Sequence, residues 1–177
     1  MIFKFRMLSD ESETFVRDYE VRYDMNLADF HAYLRESVGY EADGMASIFL
    51  SDAEWEKGRE FTSEDMGFGA GTEAEEEGAW APPVPMERVS LGQILHERFG
   101  RLIYVFDLFN ERQFFIELLE AKFEEEGVEY PRIVAEAGEP PLQYDAAAGE
   151  AAERSMFDEA MDEFGTFEGD DSYDDEY

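Results

Sequence analysis

Cysteine is absent, and with it every disulfide and every thiolate metal site. Histidine is nearly absent: His31 and His96 are the only two in 177 residues, so a zinc site would need both of them plus carboxylates. Basic residues are few, fourteen against 45 acids, for a formal charge of -31. Nucleic-acid binding and recombinase chemistry grip phosphates with clustered Arg and Lys, whereas here the bases are scattered among acids. The same charge repels anionic membranes and favours a protein partner with a basic surface, cations or polyamines. No apolar run approaches the roughly 20 residues of a membrane span. Met1–Leu8, interrupted by Lys4 and Arg6, is too short for a signal peptide, and the expected location is cytoplasmic. Phosphate-binding and nucleophile motifs are missing too: Gly67–Gly71 is followed by no Lys-Ser/Thr, and no Gly-x-Ser-x-Gly occurs.

Aromatics are plentiful. Sixteen Phe and nine Tyr within a 44% hydrophobic chain predict a core built largely from rings. Ile2–Leu8 alternates as a first strand, with Phe3, Phe5 and Met7 opposite Lys4 and Arg6. Phe15–Tyr23 follows as a second, placing Phe15, Tyr19, Val21 and Tyr23 on one face and Asp18, Glu20 and Arg22 on the other. The two pair as a hairpin. Asn26 is a good N-cap, Asp29 sits near the positive helix end and Gly39 is a stop, predicting a helix over 27–38. Leu27, Phe30, His31, Leu34 and Val38 form its buried stripe. Met45–Leu50 reads as a buried strand, with Trp55 and Phe61 as anchors beyond it.

Met66–Arg88 carries scattered glycines and prolines and the acid run Glu73–Glu77, and reads as one long surface loop. Ser90 with Gln93 makes a capping box for a second helix over 91–99, ending at Gly100. Its inward row is Leu91, Ile94, Leu95 and Phe99, and His96 faces solvent. Leu102, Tyr104, Phe106 and Leu108 line a strand. Asn110-Glu111 turns it, and Phe114, Ile116 and Leu118 line the return. Tyr130–Val134 adds an edge strand before Pro140-Pro141. The expected fold is α+β: a mixed, mainly antiparallel sheet with two helices packed on one side, a long acidic loop and an acidic tail. Residues 1–144 form the domain. Residues 145–177 form the tail, thirteen acids and one base, with an amphipathic helix at 150–164.

Three segments taken in order resemble the plasmid pRiA4b ORF-3-like family over roughly residues 1–144. They are Asn26-Leu-Ala-Asp-Phe-His-Ala-Tyr-Leu-Arg-Glu-Ser-Val-Gly-Tyr40, then Tyr104-Val-Phe-Asp-Leu-Phe-Asn-Glu-Arg-Gln-Phe-Phe-Ile-Glu117, then Tyr130-Pro-Arg with Gly138-Glu-Pro-Pro141. The resemblance implies an association with plasmids and mobile elements. Where that family carries Gly-Asp, then Trp and His, after the first hairpin Asp, this chain has Phe109-Asn110, then Arg112 and Phe114. If that polar set is a site in other members, most of it is lost here. Met45–Asp52 with Trp55 resembles a divergent branch with an acidic tail.

Candidate binding residues follow from residue type and place. His31 matches the family helix at the edge of the apolar stripe, where a hydrogen-bonded core histidine is the simpler reading. Asp107 is an acid in an apolar strand, so it needs a partner, with Arg17 or Arg101 as candidates. Glu117 could approach it across the hairpin and form a carboxylate pair fit for acid–base or metal chemistry. In the tail, Met156, Phe157, Met161 and Phe164 form with Ala160 an apolar stripe at helical spacing, suited to docking on its own domain or on a partner. Asp170–Glu176 lacks the ligand spacing of a calcium loop and supports only weak divalent cation association. No catalytic residue, cofactor or dedicated metal site is expected. The leading reading is a non-catalytic protein-interaction module. The alternatives are a DNA mimic that occupies a basic DNA-binding partner, and an enzyme using the acids of the 104–117 hairpin.

Overall fold

The computed structural model describes residues 1–67, 82–95 and 100–144. All but the last of these belong to the compact unit Met1–Gln143. Among the described residues the fold is α+β: a mixed eight-stranded sheet with two helices. The strands are β1 (Ile2–Ser9), β2 (Val16–Arg22), β3 (Ser47–Ser51), β4 (Lys57–Thr62), β5 (Val84–Pro85), β6 (Arg101–Asp107), β7 (Arg112–Lys122) and β8 (Arg132–Ala137). The helices are α1 (Leu27–Ser37) and the single turn α2 (Leu91–Ile94). The strand order is β5-β4-β3-β6-β7-β1-β2-β8, antiparallel throughout except for the β4–β5 pair.

Period-two alternation puts Phe3, Phe5 and Met7 of β1 on the core face beside Tyr19 and Val21 of β2, and Ile116 and Leu118 of β7 join them. The helix α1 presents Leu27, Phe30 and Leu34 to the same cluster, and the Phe30 ring lies 5.4 Å from Phe5. Full burial of each such side chain contributes about 2 kcal/mol, so packing rather than propensity holds an eleven-residue helix together. Its start is locally determined. Asn26 Oδ1 accepts from Ala28 N–H at 2.8 Å, while Asn26 Nδ2 donates to the Glu87 carbonyl at 2.8 Å. Gly39, at φ +73°, ends it.

Several expectations need correction. The second helix stops at Ile94, because Leu95 is already extended at φ -108°, ψ 100°; Gln93 Oε1 does accept from Ser90 N–H at 2.7 Å. His96 and Phe99 lie outside the described residues. Over 66–88, the far end is ordered structure rather than loop. Val84–Pro85 pairs with β4, Met86–Arg88 forms a 3-10 turn, and Met86 is fully buried. β4 leaves no alternating pattern in the sequence, because Lys57-Gly-Arg-Glu breaks the alternation that Phe61 and Thr62 then resume. On the polar face of β2, Asp18 and Glu20 are buried.

The last strand is fastened at both ends. Arg132 donates twice to Glu20 Oε2, at 2.9 and 2.6 Å. At the far end the Arg17 guanidinium donates to the carbonyls of Ala137 at 2.8 Å and Gly138 at 3.0 Å. Gly138 has φ +63°, and a Cβ there would sit 2.4 Å from the Thr14 carbonyl oxygen. Gly138→Ala is therefore expected to lower unfolding free energy by about 2 kcal/mol. Urea denaturation reads the loss directly, and an unchanged midpoint would contradict this account.

Candidate functional site

Two arrangements carry the chemistry of the described surface and core. The first is a row of rings running from α1 to the β6–β7 hairpin. His31 meets Tyr104 edge to face at 5.4 Å, and Tyr104 stacks on Phe114 at 6.3 Å. Phe114 lies 4.9 Å from Phe106, which lies 5.2 Å from Tyr40. Such pairs each add about 1 kcal/mol beyond their buried area and fix side-chain placement. At the end of the row the Arg112 guanidinium stands 5.0 Å from the centre of the Phe106 ring.

Arg112 is saturated with partners. Its fork holds Glu11 through Nε–Oε1 at 2.9 Å and Nη2–Oε2 at 2.8 Å. It also donates to the carbonyls of Leu142 at 2.6 Å and Gln143 at 2.9 Å. Tyr40 adds a bond from its hydroxyl to the Pro141 carbonyl at 2.6 Å, and Ser12 Oγ donates to the Glu139 carbonyl at 3.2 Å. The segment 139–143 is thus strapped across the first turn and the hairpin. In the sequence Arg112 stands out only as a departure from the family pattern. Its signal was available: one arginine between apolar strands, with few bases elsewhere to share the acids.

His31 is 8% exposed, and its Nδ1 is buried without a hydrogen-bond partner. The hydrogen-bonded core histidine expected from the sequence is thus placed in the core but not satisfied at that atom. Burial, then the charge of Arg35 one turn along, lower its pKa to about 4, so it is neutral at pH 7.

Asp107 and Glu117 do not meet. Register sets Asp107 opposite Arg112 and Glu117 opposite Arg101, about 17 Å apart along the hairpin at about 3.4 Å per residue. Neither Arg17 nor Arg101 serves Asp107. Its Oδ1 accepts from the N–H groups of Phe109 and Asn110, both at 3.1 Å, and its Oδ2 from Asn110 Nδ2 at 2.8 Å. Partial burial pushes its pKa up, but these bonds and Arg112 outweigh it and hold the carboxyl below the usual range. This carboxylate shapes a turn, as Asp does where it mimics a backbone acceptor.

Glu117 belongs to the second arrangement, on the sheet face opposite the rings. Asp18, Arg6, Glu117 and Arg101 lie opposite one another on β2, β1, β7 and β6, a row of alternating sign across four strands. Arg6 grips Asp18 at 2.8 and 2.9 Å, and Arg101 grips Glu117 at 3.2 and 3.0 Å. Arg101 also donates to the Ala53 carbonyl and lies 4.8 Å from the Trp55 ring, which makes a T-shaped pair with Phe115 at 5.1 Å between ring centres. These contacts hold Trp55 at φ +64°, a left-handed backbone that tryptophan rarely adopts. Beside this row Glu20 takes both Lys122 and Arg132 at 2.6 Å. Burial pushes Glu20 up, yet the bonds from its two cations prevail and its pKa is lowered. The sequence hid this lattice because alternation marks a polar face but not whether its charges pair.

Among the described residues no group of three or more His, Asp or Glu could hold a metal ion. No described helix is long and apolar enough to cross a membrane. Met156, Phe157, Met161 and Phe164 lie outside the described residues.

Comparison with curated proteins gave no match. Among solved structures, the chain resembles a protein of unknown function from Methanosarcina mazei Go1, with a TM-score of 0.60 and 14% identity, over 76% of this chain and 68% of that one. At that identity the likeness is one of fold. The plasmid pRiA4b ORF-3-like protein family matches residues 2–152, a range that contains all three sequence segments and the strapped hairpin, and the chain belongs to that family.

Proposed function

We propose that the protein is a non-catalytic, cytoplasmic interaction module that presents carboxylates to a protein partner with a basic surface. The observation that carries this reading is the fate of its bases. Arg6, Arg17, Arg22, Arg88, Arg101, Arg112, Lys122 and Arg132 each face a carboxylate of the same chain. Pairing within the chain occupies these eight of the fourteen bases, and the acids that outnumber the bases leave a net charge of -31. Such a surface speeds encounter with a basic partner and excludes polyanions. The separation of Asp107 from Glu117 favours binding over catalysis at the hairpin. The sign-alternating row on the rigid sheet favours it over mimicry of a phosphate backbone, which needs like charges at regular intervals.

The test has two arms. Mobility shifts with duplex and single-stranded DNA at physiological salt should show no complex at micromolar protein, because a shift needs phosphate-neutralising bases. Capture from the native host with full-length bait, and with bait ending at Tyr144, should return the same salt-sensitive basic protein, confirmed by reciprocal capture. A salt-sensitive DNA shift, or a confirmed partner that is acidic, would overturn the reading. Loss of the partner from the shorter bait would move the contact to the tail stripe of Met156, Phe157, Met161 and Phe164.

A further inference from the structure

The two edges of the sheet are unlike. β5 is two residues long and contains Pro85, a blunt edge that cannot accept another strand. At the other end β8 runs for six residues and, among the described residues, pairs only along β2. All but its first residue are exposed, including Ile133 at 37% and Val134 at 38%. This edge has no proline within it; its ladder with β2 slips by one residue at Val134, which lies between the pairs Ile133–Tyr19 and Ala135–Asp18, and its ends are fixed by Arg132 on Glu20 and by Arg17 on Ala137 and Gly138. An edge clamped at both ends has already lost the freedom that strand addition would otherwise cost.

The phase of the ladder says which groups are open. Tyr23 N–H donates to the Met1 carbonyl, so Met1 and Tyr23 form a hydrogen-bonded pair, and alternation down the hairpin gives β1 the odd-numbered residues of β2. The even ones are left for β8, where Glu20 faces Arg132, Asp18 faces Ala135 and Val16 faces Ala137. Ile133 and Glu136 therefore turn their backbone N–H and C=O away from β2. The charge beside them is negative. The Glu136 side chain is 68% exposed and only 3.8 Å from Arg17 at its nearest, Glu129 and Glu139 flank the strand exposed, and Arg132 is spent on Glu20.

We infer that β8 is a docking edge for an extended, lysine- or arginine-bearing segment of the partner protein, which adds to the sheet as a ninth strand. Backbone bonds to Ile133 and Glu136 supply affinity, the acids supply selection for basic side chains, and Ile133 and Val134 supply apolar contact. A second copy of this chain is the wrong occupant, because pairing β8 with itself would set the same acids against one another. The inference rests on the reading of the protein as an acidic binding module and names the surface that binds.

The experiment uses the full chain and a six-residue probe that alternates lysine and valine, followed by amide NMR and hydrogen exchange. Binding should shift the amides of Ile133 and Glu136 and slow their exchange, while a probe with glutamate for lysine should leave them unchanged. Ile133→Pro removes an outward N–H at a place where an edge strand tolerates proline, and should weaken binding about tenfold. Ile133→Ala keeps the donor and should weaken it less. Should Ile133→Pro unfold the chain, the exchange data on the unsubstituted protein decide alone. Shifts spread over other acids with β8 untouched, or no binding of the lysine probe, would overturn the inference. Neither result touches the broader reading, which stands or falls on capture from the host.

Discussion

Replacing Arg112 by alanine is expected to lower the unfolding free energy by about 3 kcal/mol and to free the segment 139–143 from the domain. The guanidinium side chain is 10% exposed and satisfies Glu11, whose side chain is 34% exposed, together with two carbonyls. Removing one partner of a buried, hydrogen-bonded pair costs about 3–5 kcal/mol, and here the Arg112 side chain is largely buried while Leu142, like Glu11, keeps contact with water. The partial exposure of Glu11 puts the expected value at the low end. The Phe106 ring loses its cation as well. Arg112→Lys should recover little, since an ammonium cannot hold Glu11 bidentately and reach two carbonyls at once. Urea denaturation gives the stability, and amide exchange over 139–143 gives the release of the strap. A loss below about 1 kcal/mol would mean that the latch is a surface pair of ordinary worth. Full rescue by lysine would mean that charge, and not fork geometry, matters.

The same latch shows what the sequence could and could not reveal. The hairpin strands, the α1 stripe and the Asn26 cap were legible because each is a local pattern: period two, period 3.6 and one side chain bonded to its own turn. The α2 boundary was not, since Leu95 departs from helical backbone within a stretch whose apolar spacing continues to Phe99. β4 escaped because its pairing to β3 is set by tertiary contact along residues of weak alternation. The site was hidden for a different reason. Arg112 joins Glu11, about a hundred positions away in the chain, and Arg6 joins a row whose other members lie on three other strands. A charge pattern read along one segment cannot show which acid from another will face it. His31 was found for its place on the helix, but the helix alone could not tell that Nδ1 would be left without a partner.

That bare nitrogen should give the protein an acid-sensitive stability that a single substitution removes. Folded, His31 titrates at about 4, below its ordinary 6.5, because burial first and Arg35 second disfavour the imidazolium. Well above pH 6.5 the group is neutral in both states, and its effect vanishes there. As pH falls from 6.5 to 4 the unfolded chain takes up a proton that the folded chain refuses, and stability falls. The full loss is about 3 kcal/mol, with about 2 kcal/mol of it complete by pH 5. An opposite effect runs in parallel: the acids begin to protonate toward the pI of 4.1, which relieves self-repulsion in the folded state. Comparing the natural chain with His31→Leu cancels that shared contribution. Leucine fills the same apolar stripe beside Tyr104 and leaves no polar atom buried without a partner, so the variant should be at least as stable at pH 7.5. From pH 6.5 downward the two unfolding free energies, read from urea denaturation, should diverge in favour of the variant by a further ~2 kcal/mol at pH 5. Parallel profiles across that range would show that His31 is protonated as readily in the folded protein as in the unfolded chain, and that Nδ1 finds a partner in solution.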